Sequence, residues 1–477
     1  MNTSEKNELI ELFEHQFGEK VTNFEMLPPS GSYREYCRLS NEKRTIIGAL
    51  NNDVKENTAF LSFSNHFYNK EIKVPQVHAV SSDLKKYLLE DLGDTTLFSF
   101  LTKTREEEGF SANIIHEYKK VLTALPKIQI IAGKDIDFSV CYPREAFDKQ
   151  SMMWDLNYFK YYFLKLAKIS FDEQALEDDF QQFSNYLLSA GANFFMYRDF
   201  QSRNVMLKNN EVYFIDYQGG RRGALQYDLA SLLYDGKADI PESVRKELYE
   251  HYISELKKYM RVDEERFSSY FRGFVIIRIM QAMGAYGFRG FYEKKEHFLK
   301  SIPYALKNLE FLLKDLNLPI ELPELVSVLK QLTQSEVLKE IGRSKSNLTV
   351  RISSFSYKKG FPEDPSGNGG GFVFDCRAIN NPGRIEKYKK LTGKQLAIQE
   401  FLEKQSEIGL FLDPIKKLID QSVKVYIDRG FTHLSVGFGC TGGRHRSVYS
   451  AEKLAEYLQN NYPTINIVLV HREQESW

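Results

Sequence analysis

The stretch that most constrains this chain is Tyr197-Arg198-Asp199-Phe200-Gln201-Ser202-Arg203-Asn204. Two short apolar runs follow, Val205 to Leu207 and Val212 to Ile215, separated by Lys208-Asn209-Asn210-Glu211 and closed by Asp216. Turn residues between two such runs predict a hairpin. A hairpin brings the chain back beside itself, so Asn204 and Asp216 are expected to face one site. The residue types suit phosphoryl transfer. A carboxylate such as Asp199 orients an attacking hydroxyl and takes its proton, while Asn204 and Asp216 offer the hard oxygen donors that magnesium requires. An isolated D-x-x-x-x-N is common by chance. The hairpin, the terminal Asp216 and the downstream Tyr227-Asp228-Leu229 make this one specific. Asp228 is expected to cap or brace the loop without touching ligand.

Bulk properties exclude several classes. With 477 residues, two or more domains are expected. Net charge is zero, which gives no global attraction to nucleic acid or a membrane surface. The four cysteines, Cys37, Cys141, Cys376 and Cys440, form no C-x-x-C pair and suit a reducing compartment. No signal peptide is visible at the start, so a cytoplasmic protein is expected. The most apolar stretch, Phe274 to Phe288, contains Arg278 and Gln281 and reads as a buried helix, not a membrane span.

The residues around Asp199 resemble the aminoglycoside-phosphotransferase and choline-kinase group, and most closely the bacterial kinases of N-acetylmuramate and N-acetylglucosamine. The resemblance implies an α+β, bilobal, protein-kinase-like domain over residues 1–325, with the first lobe to about residue 92. It also implies ATP and Mg2+ as cofactors. Tyr197 stands where that group usually has His. Ser30-Gly31-Ser32, a small-residue turn followed by Arg34, would approach the nucleotide phosphates. The strand from Thr45 lacks the Lys that most kinases place there; Arg34 or Arg38 would supply the charge. The resemblance would place an ion-pairing Glu in the next helix, but without the Lys, Glu56 reads as a solvated first-turn carboxylate. By position, Glu90 to Leu92 correspond to the interlobe hinge. Arg203 and Gln218 are substrate candidates. Trp154 reads as helix packing or a sugar platform, and Tyr217 to Gly223 as a flexible basic loop at substrate or in solvent.

Residues 326–347 turn polar and read as a helix leading into a linker. A second, smaller α/β domain is expected over 348–477. At its centre an apolar strand runs into Gly439-Cys440-Thr441-Gly442-Gly443-Arg444-His445-Arg446-Ser447, a strand-loop-helix that would hold phosphate. Together with Phe374 to Pro382, this resembles the C-terminal domain of the RapZ-type RNase adaptor. The resemblance implies glucosamine-6-phosphate binding at Thr441, Gly442, Gly443, His445 and Arg446, with Arg377 nearby. Cys440 to Arg446 also fits C-x5-R, but Gly439 precedes the Cys where phosphatases carry His. Lys387, Lys389, Lys390 and Lys394 read as a solvated surface or an RNA contact.

The sequence therefore leads to an ATP-dependent kinase for a hydroxyl of a small amino sugar, of the kind that serves cell-wall recycling, with a C-terminal amino-sugar-phosphate-binding domain. The alternative is a non-catalytic sensor that binds nucleotide and glucosamine-6-phosphate and acts on a protein or RNA partner.

Overall fold

The computed structural model describes residues 1–28, 34–341, 348–362 and 371–474. It divides into two compact units, Met1–Ile341 and Gly342–Trp477.

The first unit opens with helix α1 (Thr3–Phe17). The Asn2 side chain accepts from the Glu5 N–H while the Glu5 carboxylate accepts from the Asn2 N–H, a reciprocal cap that starts the helix. Leu9 and Phe13, four residues apart, bury one face of α1 against Cys37, Leu39, Ile46 and Leu88. Beneath it lies an antiparallel sheet of β1 (Asn23–Met26), β2 (Glu35–Ser40), β3 (Thr45–Leu50), β4 (Val77–Val80) and β5 (Lys86–Glu90), in the order β1-β2-β3-β5-β4. Helix α2 (Val54–Asn69) is capped by Asp53. Its Phe60, Phe63 and Phe67 recur at helical spacing; Phe60 stacks on Tyr87 and Tyr217, and Phe63 and Phe67 meet Phe195 and Tyr217 edge to face.

After residue 92 the unit is mainly helical, and its large core is continuous with that of α2. Between helices lie two short hairpin-like sheets. β6 (Phe194–Met196) pairs with β9 (Arg221–Gly223), and β7 (Val205–Lys208) pairs with β8 (Glu211–Phe214). Asn209 and Asn210 both take positive φ, the local conformation a two-residue hairpin turn demands.

Two expectations change. Residues 217–223 are not a flexible loop. β9 is paired in a sheet, and Arg221 is buried, donating through Nε to the Gly219 carbonyl at 3.0 Å. Gly220 and Gly223 are there because a Cβ at either would fall within 2.7 Å of Phe195 or Met196. Nor is most of 326–347 a linker. Helices Pro323–Gln334 and Glu336–Glu340 bury Val328, Leu329, Leu332 and Leu338 in the first unit's core. The exposed faces of these helices are polar, and in sequence that obscures the apolar i, i+3, i+4 stripe.

The second unit is α/β, with a parallel sheet of β10 (Thr349–Ser356), β11 (Gly371–Asp375), β12 (His433–Cys440) and β13 (Asn466–His471) in the order β11-β12-β10-β13. Its core joins the sheet to helices Ile408–Arg429 and Arg446–Asn461. No helix among the described residues is long and apolar enough to cross a membrane.

Candidate active site

The loop that leaves β6 is held from beneath. Asp228, wholly buried on the helix Leu225–Leu233, accepts from the backbone N–H of Tyr197 (2.8 Å) and of Arg198 (3.0 Å). Gln129 adds a third donor at 3.2 Å, and Tyr252 in turn orients Gln129. Burial pushes the Asp228 carboxyl up to about 7, against the pull of these three donors. Arg198 adopts a positive φ of 81°, which only such over-determination sustains in a non-glycine residue. Its guanidinium binds both oxygens of Asp155 at 2.8 Å and the Tyr227 hydroxyl at 2.7 Å, and stacks over Phe147. Asp155 is a functional partner that sequence reading missed. In sequence, the aromatic Trp154 beside it is the more conspicuous residue, yet it is 47% exposed, and a lone Asp155 carries no sign of a partner 43 residues away.

Tyr197, in place of the usual His, is buried, and its hydroxyl donates to the Ile215 carbonyl at 2.5 Å. That bond ties the loop to the residue before Asp216. Asp216 itself sits at φ 69°. The Asn204 amide bridges the set, donating to the Asp199 carbonyl (2.9 Å) and to Asp216 Oδ2 (3.3 Å). Gln218 donates to Asp216 Oδ1 at 2.7 Å. Burial, then neighbouring Asp199, raises the Asp216 carboxyl above its ordinary value; Gln218 and Arg34 pull it down. Two carboxylates converge here, and among the described residues Asp216 has no cationic side chain bound to it in an ion pair. With the Asn204 amide oxygen beside them, this donor set suits Mg2+, which takes one or two protein carboxylates and completes its shell with phosphate and water. Arg203 is exposed, with its guanidinium over Phe98.

Across the cleft, Arg34 is almost fully buried and pairs with Glu56 Oε1 at 3.0 Å. Glu56 is therefore not a freely solvated carboxylate. Arg38 is spent elsewhere, on Asp91 (2.8 Å) and Asp94 (2.8 Å). Glu90 ends β5, and its carboxylate is gripped by Lys208 of the β7–β8 hairpin (2.6 Å), which also donates to the Asp91 carbonyl. Leu92 is buried. Ser30, Gly31 and Ser32 lie outside the described residues.

In the second unit, β12 runs into the 441–445 loop ahead of helix Arg446–Asn461. Thr441 and Gly442 are exposed, and Ser356 Oγ donates to the Thr441 carbonyl. Gly443 is buried at φ 63°, and a Cβ there would strike Glu473 at 2.5 Å. His445 Nε2–H donates to the Tyr388 carbonyl at 3.1 Å, since a carbonyl can only accept. Arg446 departs from the expected phosphate contact. It is buried, and Nη1 donates to the carbonyls of Arg377 and Ile379, fastening the helix to that turn. Arg377 is paired with Asp375 and lies over Tyr357. Burial resists ionisation of the Cys440 thiol, but hydrogen bonds from the Ser447 hydroxyl and N–H and the charge of Arg446 outweigh it, and its pKa lies below the ordinary thiol value.

Residues 40–264 match the phosphotransferase enzyme family, and residues 348–475 match the RapZ C-terminal domain. Among curated relatives, a nucleotide-binding protein of Endomicrobium trichonymphae is 36% identical over 153 residues, covering 32% of this chain and 48% of its own length. Another, from Fusobacterium nucleatum, is 39% identical over 131 residues, covering 27% and 43%. The chain thus spans about half the length of the curated relatives it matches. Among solved structures, a Plasmodium vivax ethanolamine kinase overlays with a TM-score of 0.43 at 14% identity, covering 61% of this chain and 82% of that one. A spectinomycin phosphotransferase overlays at 0.39 and 14%, covering 71% and 97%. The chain therefore carries a kinase-like segment of the phosphotransferase enzyme family, residues 40–264, followed by a RapZ C-terminal domain, residues 348–475.

Proposed function

We propose that the first unit is an ATP-dependent kinase that phosphorylates a hydroxyl of a small amino sugar of the N-acetylmuramate or N-acetylglucosamine type. The observation that carries this is the Asn204 amide, which joins the Asp199 turn to Asp216. Asp199 orients the acceptor hydroxyl and receives its proton. Asn204 and Asp216 are the residues that would hold Mg2+, and the bound metal would neutralise charge on the transferring phosphates. Arg34, oriented by Glu56, meets the nucleotide phosphates, and the backbone at Glu90 to Leu92 meets the base. Asp228, Tyr197 and Asp155 position the loop. The second unit binds an amino-sugar phosphate at Thr441 to His445 and regulates the first. The acceptor class rests on the likeness of the loop to the amino-sugar kinases, and that likeness is an analogy between sites.

A sensor without turnover is the second reading. Its main support is that β3 has no lysine, and the Arg34–Glu56 pair weakens that support. ADP release measured with N-acetylmuramate, N-acetylglucosamine and glucosamine separates the two. Turnover with an N-acetylated sugar supports the kinase. No turnover with any of them, together with tight binding of glucosamine-6-phosphate, favours the sensor.

A further inference from the structure

A basic patch flanks the catalytic loop on the surface of the first unit. Arg203, in the loop itself, directly precedes Asn204 and is exposed, with its guanidinium over the Phe98 ring. Ser202 Oγ donates to Asp235 at 2.6 Å, which ties the loop to the turn Gly236–Ala238 that carries Lys237. Lys237 Nζ donates in turn to the His297 carbonyl at 3.5 Å, on the short helix Glu296–Leu299 that Lys300 follows. Segments distant in sequence thus gather Arg203, Lys237, His297 and Lys300 beside the loop, close enough for their charges to act on one another.

The patch is poor in counter-charge. Among the described residues, Arg203, Lys237 and Lys300 are in no ion pair, whereas Arg289 and Lys295 nearby share Glu293. Burial, and then the charge of Arg203, draw the Lys237 ammonium below its ordinary value; Lys300 adds to this and Asp235 opposes it. His297 is drawn down in the same way, by lost hydration first and then by Lys237, Lys295 and Arg203, so it is neutral at neutral pH. Three cations against the single carboxylate of Asp235 leave two positive charges. Like charges held together repel, and the repulsion is relieved when an anion joins them.

We propose that Arg203, Lys237 and Lys300 form a phosphate-binding subsite, and that the acceptor of the kinase is an amino sugar that already carries a phosphate ester. This rests on the kinase reading above and goes beyond its acceptor class. A phosphate monoester brings about −1.5 to −2 charges at neutral pH, which matches the patch; a carboxylate brings one. Lysine meets phosphate as a point charge, and the arginine fork meets two of its oxygens. Group transfer follows the same course as with a free sugar. The acceptor hydroxyl oxygen bonds to the γ-phosphorus of ATP, and the bond from that phosphorus to the β–γ bridging oxygen breaks. The hydroxyl proton passes to Asp199, ADP leaves, and the product is a sugar bisphosphate.

The test measures ADP release by the full chain with N-acetylglucosamine and with N-acetylglucosamine 6-phosphate, then repeats both with Lys237→Gln, Lys300→Gln and Lys237→Arg. Thermal melting checks that each variant is folded. In the wild type, kcat/KM for the 6-phosphate should exceed that for the neutral sugar by about tenfold or more. Raising the salt about tenfold should erase most of this preference, because exposed charges are screened. Lys237→Gln and Lys300→Gln should each cut the preference by about threefold or more, and Lys237→Arg should keep most of it. A 6-phosphate turned over no better than the neutral sugar by the wild type, or not at all, overturns the inference whether or not a variant folds; turnover of any free sugar then leaves the kinase reading intact. A preference that survives both folded glutamine variants overturns it too, by placing the phosphate elsewhere. So does a loss of ADP affinity in those variants as large as the loss in kcat/KM, which would assign the patch to the nucleotide.

Discussion

Two side chains with the same charge and similar surroundings behave differently at the cleft. Arg34 pairs with Glu56, donates to the Tyr36 hydroxyl and stands near Asp216; Arg38 is consumed by Asp91 and Asp94. Removing a charge-assisted contact to phosphate costs about 1.5–3 kcal/mol. Arg34→Met should therefore weaken ADP binding by about 10- to 100-fold, whereas Arg38→Met should leave it within about threefold, as titration calorimetry would report. Equal losses would remove Arg34 from the phosphate site. Asp228 gives a pH signature. Its native pKa of about 7 lies above the ordinary 3.8, so between those values the folded state holds a proton that the unfolded state has lost. Stability from this group is complete at low pH and falls as pH rises through about 7, by as much as ~4 kcal/mol. The stability deficit of Asp228→Asn should accordingly shrink from pH 5 to pH 8 in urea melts. A deficit that stays constant from pH 5 to pH 8 would mean the three N–H donors keep Asp228 ionised throughout. The residue types at 199, 204 and 216 were legible in sequence because a hairpin makes their meeting local. The Arg34–Glu56 and Arg198–Asp155 pairs were not, since each partner lies more than twenty residues from the other and only the folded sheet and helices bring them together.

The same divide holds for whole elements. Periodicity gave α1, α2, the β7–β8 hairpin and the strand-loop-helix around Gly442, because each is specified within its own segment. β9 was read as a loop, for its pairing with β6 is a tertiary event and its glycines suggest flexibility where they serve close packing. Gly287 carries that point further. It follows the helix Glu264–Tyr286 where the backbone crosses the turn Lys160–Leu164, and a Cβ there would lie 2.0 Å from the Tyr162 carbonyl oxygen. Neither backbone can retreat cheaply. Gly287→Ala should cost about 1–3 kcal/mol or more by overpacking, whereas alanine at Gly409, where nothing lies within 4 Å, should be nearly neutral. Denaturant midpoints of the two variants would check this, and a Gly287→Ala midpoint equal to the wild type would show that the crossing is looser than described.

The molecule as a whole is two units, Met1–Ile341 and Gly342–Trp477, and the boundary matters for handling it. Helices Pro323–Gln334 and Glu336–Glu340 belong to the first unit's core, so a chain cut at residue 325 loses Val328, Leu329, Leu332 and Leu338 and exposes the surface they covered. Burying each such side chain contributes about 1.5–3 kcal/mol. A 1–341 fragment should therefore melt cooperatively and well above a 1–325 fragment; equal melting temperatures would return those helices to the linker. The central claim concerns what Asp199 does when nucleotide and sugar meet, and phosphorus NMR of the full chain with ATP, Mg2+ and N-acetylmuramate measures it most directly. The expected result is a growing sugar-phosphate resonance in the wild type, slowed by about 10²- to 10⁴-fold in Asp199→Asn while nucleotide affinity stays within a few fold. A sugar phosphate formed at the same rate by Asp199→Asn, or ATP consumed with no sugar phosphate formed, would contradict it.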